Sequence, residues 1–255
     1  MIEHIDQNFG LHATLIPQLT PNMQVGKTDH FSYVKTGFSC DTFNIIHIHN
    51  HQSLPASALE YLVGCYREKN WDYCLWINQE NLTAELKNTI TSIGLSKQNE
   101  EVGMALNLAN YELNSIDKDL TFAEVVSKSQ LEEYANVVAA NWTPADKNVV
   151  KFYKQTANHY LLGSANITLF VAYINGEPAG SVELFPTDTE TVGIYGLCTL
   201  EKFRGKGVGS ALMTTALNKA KRQGYHNVVL QATEDGIGIY EKIGFERHTT
   251  YFEFA

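Results

Sequence analysis

The sequence predicts a mixed α/β fold, and three observations carry that reading. Runs that alternate apolar and polar residues interleave with stretches whose apolar residues recur at helical spacing. Asn175-Gly176 separates two strand-like runs and is the dipeptide that favours a tight hairpin. Between Leu197 and Ser210 a strand pattern runs into a basic, glycine-rich turn and then a helix start.

Taken in order, Asp41 to Ile48 reads as a strand and Ser57 to Lys69 as a helix, with Pro55 just before it. Tyr73 to Ile77 is a short aromatic strand. Leu82 to Ile93 is a helix ended by Gly94, and Val102 to Leu108 is another strand. The polar stretch Asn114-Ser115-Ile116-Asp117-Lys118 then separates two patterned halves. After it, Leu120 to Val126 suits a strand. Gln130 to Ala140 and Ala145 to Leu162 suit helices, broken by Trp142-Thr143-Pro144 because proline forbids a simple continuation. Thr168 to Ile174, Pro178 to Phe185 and Thr191 to Leu200 follow as three strands. Ser210 to Arg222 is a helix, and Asn227 to Ala232 a short β-rich run. Ile239 to Phe245 holds the end of a last helix, with Gly244 placed as its C-cap, and Thr249 to Phe254 supplies a final strand.

The glycine-rich turn carries the chemistry. Arg204, Gly205, Lys206, Gly207, Val208, Gly209 and Ser210 lead into a helix N-terminus, where free N–H groups and the positive end of the helix dipole favour an anion. Glycine tolerates positive φ and lets a ligand come close to the backbone. Arg204 and Lys206 add fixed charge, so a phosphate-bearing ligand is the expected occupant, and a turn that only caps the helix is the alternative. A triphosphate P-loop needs G-x-x-x-x-G-K followed by Ser or Thr, which is absent. A dinucleotide fingerprint needs G-x-G-x-x-G after an early strand, which does not fit either.

The pattern that fits is Arg-x-x-Gly-x-Gly, from Arg204 to Gly209. Together with the closing Tyr240-x-x-x-Gly244-Phe245, it resembles the GNAT superfamily of N-acetyltransferases over roughly 60 residues. The resemblance implies a GNAT acyl-CoA N-acyltransferase fold: a mixed, mostly antiparallel sheet flanked by helices. Residues 117–255 are expected to be the catalytic domain. Residues 1–116 have a similar element order without the glycine motif, which suggests a degenerate GNAT-like copy; an unrelated α/β extension is the alternative.

The same resemblance implies acetyl-CoA as donor and an amine as acceptor, with direct transfer in a ternary complex. Backbone N–H groups from Arg204 to Ser210 are expected to cradle the pyrophosphate. Leu197, Cys198 and Thr199 are expected to present the strand edge to the pantetheine arm, and a backbone N–H there to polarise the thioester carbonyl. These contacts use main chain, so Cys198 need not be a nucleophile. Tyr240 is the candidate proton donor to the departing thiolate, since a phenol is a neutral donor at pH 7; packing beside the cofactor is the other role open to it. Two departures stand near it, Thr233 and Gly236, where relatives often carry Asn and Ala. Glu183 is the candidate general base, with Glu190, Glu234 and His226 competing.

Composition narrows the classes. With 255 residues, the chain can form one large domain or two modest ones. A net charge of −9 disfavours nonspecific nucleic-acid binding. No apolar run is long enough for a membrane span, and the N-terminus lacks the pattern of a secretory signal. Four cysteines without paired spacing read as free thiols in a reducing cytoplasm. His47, His49 and His51 alternate and invite a metal reading, but no companion cysteine or acidic ligand accompanies them, and a polar strand face without metal is the expectation. Trp71, Tyr73 and Trp76 are expected in a core strand. The leading function is acetyl transfer to a small-molecule primary amine by a monomer or homodimer. A protein or peptide N-acetyltransferase and a non-catalytic acyl-CoA-binding module are the alternatives.

Overall fold

A computed structural model describes residues 1–115, 120–163 and 165–255. In chain order its helices are α1 (Ile2–Leu19), α2 (Ala56–Glu68), α3 (Ala84–Ser92), α4 (Lys128–Ala139), α5 (Lys147–Leu161), α6 (Val208–Arg222) and α7 (Glu234–Ile243). Its strands are β1 (Gln24–Lys27), β2 (Phe31–Lys35), β3 (Ile45–Ile48), β4 (Cys74–Asn78), β5 (Lys97–Asn107), β6 (Thr121–Glu124), β7 (Thr168–Ile174), β8 (Glu177–Pro186), β9 (Thr191–Thr199), β10 (Asn227–Ala232) and β11 (Glu246–Phe254). The fold is mixed α/β with mostly antiparallel strand pairs flanked by helices.

The chain forms two compact units. The first takes residues 1–104, 231–241 and 246–255; the second takes 105–230 and 242–245. The division is therefore not a single cut in the sequence. The expected boundary at Ile116 and Asp117 lies outside the described residues.

In the first unit the strand order is β1-β2-β3-β4-β11-β5. Strands β3 and β4 run parallel, joined through α2, and pair over four residues from Ile45↔Cys74 to Ile48↔Ile77. The last strand of the chain, β11, pairs antiparallel with β4 from Tyr251↔Asn78 to Phe254↔Leu75. Reciprocal backbone hydrogen bonds between Ser96 and Ala255, at 3.0 and 3.1 Å, tie down the C-terminal residue. The core packs Leu59, Leu62, Val63 and Tyr66 of α2 on Ile46, Ile48, Leu75 and Ile77 of the sheet. Trp71 packs against that core and Tyr73 is buried within it. Helix α1 went unread in the sequence. It buries Ile5, Phe9, Ala13 and Ile16 along one stripe despite Gly10 and Pro17, two residues that weaken a helix by propensity. The expected strand from Asp41 is shorter than read: residues 41–44 form a turn, and the strand starts at Ile45.

In the second unit the order is β10-β9-β8-β7-β6. Strands β7 and β8 join through Asn175 and Gly176, with φ of +53° and +80°, the two positive values that a tight primed hairpin requires. Residues Ala179 to Phe185 of β8 are all buried, because helices cover both of its faces. Gly180 faces α6, where an added Cβ would lie 2.8 Å from both Val208 Cγ1 and Leu212 Cδ1. Three positions on, Glu183 points to the other face, toward Tyr134 of α4.

Candidate active site

The site of the second unit is built on a fault in β9. Its pairing with β8 steps from Ser181↔Cys198 to Glu183↔Tyr195, so β9 carries one more residue than its partner there. Gly196 sits in this bulge with φ +54°, and an added Cβ would lie 2.5 Å from Tyr134 Oη. Ser181 Oγ donates to Gly196 O at 2.9 Å and pins the bulge. On the other side of β9, the parallel register with β10 covers only Thr191–Gly193 against Asn227–Val229, although β9 has nine residues and β10 six. From Tyr195 onward β9 is half-buried, whereas Thr191 to Ile194 are buried. Leu197, Cys198 and Thr199 therefore lie on a stretch of strand past both the bulge and the end of pairing with β10.

That stretch runs into the glycine turn. A short 3-10 turn, Glu201–Phe203, anchors it through the buried Phe203 ring. The ammonium groups of Lys202 and Lys206 sit 5.0 and 5.3 Å from this ring's centroid, and Lys202 also pairs with Glu177. Gly205 and Gly207 have φ of +73° and +77°, and open space surrounds the position of a Cβ at each. Glycine is required there by the backbone path and not by packing within the chain. Helix α6 starts directly after Gly207. Ser127 caps α4 and Asp146 caps α5 with side-chain oxygens, but no side chain caps α6, and no acidic residue stands in its first turn. An uncapped helix start reached through open glycines, with Arg204 and Lys206 exposed beside it, fits an oxyanion of a phosphate. Packing sets the helix at the strand end: a Cβ on Gly209 would lie 3.5 Å from Thr199 Oγ1.

On the α4 face, buried polar groups converge on the bulge. Glu183 is 2% exposed, and Tyr134 Oη donates to its Oε2 at 3.5 Å, the long end of hydrogen bonding. Tyr134 and Tyr153 pack edge to face at 5.2 Å. Burial, and next the charge of Glu183, holds the Tyr134 phenol well above its ordinary range, so it is a neutral donor. Asn141 Nδ2 donates to Cys198 Sγ at 2.7 Å. Burial pushes the Cys198 thiol up, which favours the thiol over the nucleophilic thiolate.

Leu197, Cys198, Thr199, Arg204 to Ser210 and Glu183 thus all lie in the second unit. Two competitors for the base stand at the opposite end of the strands. The N–H of His226 donates to Glu190 O at 2.8 Å beside the first residue of β9, and both residues are exposed. Six residues of strand, about 20 Å, separate that end from Gly196. Glu234 is exposed in the first turn of α7, within the segment counted with the first unit. Tyr240 lies in the same segment, half-buried. Its ring folds back on Gly236, where a Cβ would come 2.8 Å from Tyr240 Cε2. The lack of a Cβ at Gly236 therefore admits this ring position. Gly244 follows α7 with φ +108°, and Phe245 after it is buried.

The sequence reading passed over Tyr134, Tyr153, Ser181, Asn141 and Gly196. Only Gly196 carried a local signal, since a glycine inside a strand pattern marks a bulge.

The Acetyltransferase (GNAT) family matches residues 131–245. The chain is 30% identical over 100 residues to the probable N-acetyltransferase family 8 member 5 of Mus musculus, a match covering 36% of this chain and 44% of that protein. It is 26% identical over 181 residues to an uncharacterized N-acetyltransferase of Methanocaldococcus jannaschii, covering 65% of this chain and 80% of that one. The chain thus spans under half the length of the mouse protein it matches. A GCN5-related N-acetyltransferase from Kribbella flavida shares the fold at TM-score 0.71 and 13% identity, over 98% of this chain and 95% of its own. A tandem GNAT protein from the clavulanic acid biosynthesis pathway shares it at TM-score 0.63 and 10% identity, over 99% and 93%. The chain has the GNAT fold, and its residues 131–245 match the Acetyltransferase (GNAT) family.

Proposed function

We propose that this protein transfers an acetyl group from acetyl-CoA to the primary amine of a small molecule. One observation carries the reading. The β9 bulge and the early end of β9–β10 pairing leave the Leu197–Thr199 backbone beside an uncapped helix start reached through two open, positive-φ glycines.

In this reading the N–H groups of the turn and first helical turn hold the pyrophosphate, and Arg204 and Lys206 add charge. The free edge of Leu197–Thr199 pairs with the amide-bearing arm as an added strand, and a backbone N–H there stabilises the oxyanion as the amine attacks. Glu183 takes the proton that the amine must lose, directly or through water. As the carbon–sulfur bond breaks, the departing thiolate takes a proton; Tyr240 is the candidate donor by its place in the closing motif. Cys198 forms no bond to the acyl group, in keeping with its protonated thiol. A reducing compartment such as the cytoplasm suits the four free cysteines. No helix among the described residues is long and apolar enough to cross a membrane.

The test is thiol release from acetyl-CoA across polyamines, amino acids, aminoglycosides and peptides. Turnover with a small amine, abolished in Glu183→Gln, is expected. Turnover on peptides alone would move the protein to the peptide-acetylating class, and CoA binding without turnover on any amine would make it a non-catalytic module.

A further inference from the structure

The first unit contains a cleft that the acetyl-transfer reading does not use. It lies between α1 and the strands β1 to β4, encloses about 680 Å³, and is lined by Glu3, Asp6, Lys27, His47, His49 and Glu80, among others. That volume lies within the usual range for small-molecule sites.

Its floor is a hydrogen-bonded cluster. Asp6 Oδ1 accepts from Asn78 Nδ2 at 2.8 Å and from Tyr251 Oη at 3.0 Å, and lies 3.0 Å from His47 Nε2. Burial alone raises the Asp6 carboxyl, but the hydrogen bonds it accepts from His47, Tyr251 and Asn78 hold it below its ordinary value. Asp6 Oδ1 so placed accepts from His47 Nε2–H, and in the neutral ring this leaves Nδ1 as the acceptor. His47 is 2% exposed, and its Nδ1 is buried without a partner. This atom packs against Gly10, where an added Cβ would come within 2.9 Å of it, and Gly10 itself lines the cleft. Beside it, His49 Nε2 is also buried and unpartnered. Burial, and next the proximity of His47, lowers the His49 imidazolium pKa, which favours its neutral ring.

A buried acceptor without a donor is costly, so a ligand donor at this point is favoured. Three carboxylates against one lysine make the cleft net negative, which disfavours an anion. No three His, Cys, Asp or Glu side chains among the described residues converge to hold a metal ion. We propose that this cleft binds a small aliphatic amine in its protonated form, whose N–H donors meet His47 Nδ1 and whose charge is met by Asp6, Glu3 and Glu80. The site is separate from the glycine turn of the second unit and does not rest on the donor reading.

Calorimetry on the full chain tests it, with putrescine and spermidine as probes and 1,4-butanediol as an uncharged control. One or both amines are expected to bind, and to bind equally in Gly207→Val, in which the donor turn is blocked. The double variant Glu3→Gln/Glu80→Gln changes two exposed side chains and leaves the core intact. It should weaken binding about tenfold or more, as should His47→Phe, which keeps an aromatic ring but removes both the acceptor and the donor to Asp6. Circular dichroism checks the fold of His47→Phe. No heat from either amine would overturn the proposal. So would amine binding unchanged in the folded variants, which would place it elsewhere, or butanediol binding as well as the amines.

Discussion

The two units contain the same local succession, a strand, a loop, a helix and a parallel strand, and they use it differently. In the first unit β3 and β4 pair over all four residues of β3, and the loop reaches α2 through Leu54 and Pro55. In the second, β9 and β10 pair over three residues and then stop, and the loop reaches α6 through Gly205 and Gly207. A closed parallel pair has no strand edge to offer, and a proline N-cap gives one N–H fewer at the turn and no positive φ. An opened pair with a glycine entry presents both. Two backbone features thus distinguish the units, and in the proposed reading they suit the second one to a CoA-type ligand. What the first unit keeps is a polar cleft on the side of α1.

Four experiments break or sharpen this comparison. The largest effect is expected from Tyr240→Phe, which removes one hydroxyl and keeps the ring. It should lower the single-turnover rate by about 10²–10⁴-fold, the scale of a positioned proton donor, with little change in acetyl-CoA affinity. A wild-type rate would remove Tyr240 from the chemistry and leave the donor assignment standing.

Next is Gly207→Val. Blocking backbone approach costs at least two charge-assisted hydrogen bonds, so CoA affinity should fall about 10²-fold by calorimetry. The change also places a branched residue at φ +77°, at a strain of about 1–2 kcal/mol that thermal unfolding will show. Gly207→Ala carries that strain with less bulk, and the difference between the two isolates the steric term. Pro55→Gly in the first unit should leave CoA binding at one per chain. Two CoA per chain, or unchanged affinity in Gly207→Val, would dissolve the contrast between the units.

A smaller effect tests the bulge. Gly196→Ala adds a methyl 2.5 Å from Tyr134 Oη at positive φ and should destabilise the protein by about 1–3 kcal/mol. Adding Tyr134→Phe removes the clashing oxygen and should recover part of that loss. Purely additive effects would mean that the two residues do not meet.

The smallest effect concerns pH. Burial, and next the Glu253 carboxylate, pushes the Glu101 carboxyl in the first unit up to about 7 from the ordinary 4.5. The fold therefore favours its neutral form. Its contribution is complete below the ordinary value and is lost as pH rises through about 7. Glu101→Gln should raise Tm above about pH 7 and change it little in acid. An equal shift at both pH values would contradict the elevated pKa.

Much of the second unit was legible because its signals are local. Asn175-Gly176 demands a primed turn, Gly205 and Gly207 demand positive φ, and the strand and helix runs on either side repeat at their own periods over many residues. The first unit was harder to read. Gly10 and Pro17 weaken the helical signal of α1, and Gln24–Lys27 is a four-residue edge strand with one large apolar side chain.

The local steric rules of the chain settled where it turns, where it must be glycine, and which segments coil or extend. Tertiary structure decided what these segments meet. Nothing near Glu246–Phe254 tells that this strand pairs with β4, more than 170 residues earlier, and completes the first unit. Nothing near Asp6 tells that it gathers His47, Asn78 and Tyr251 around one oxygen, and nothing near Glu183 tells that Tyr134 closes over it at a bulge. The reason is physical. Backbone dihedrals are limited by clashes between neighbouring atoms, so short sequence specifies them. Strand partners and buried polar contacts are chosen by packing the whole chain at once, where many registers satisfy the same local pattern and burial selects one.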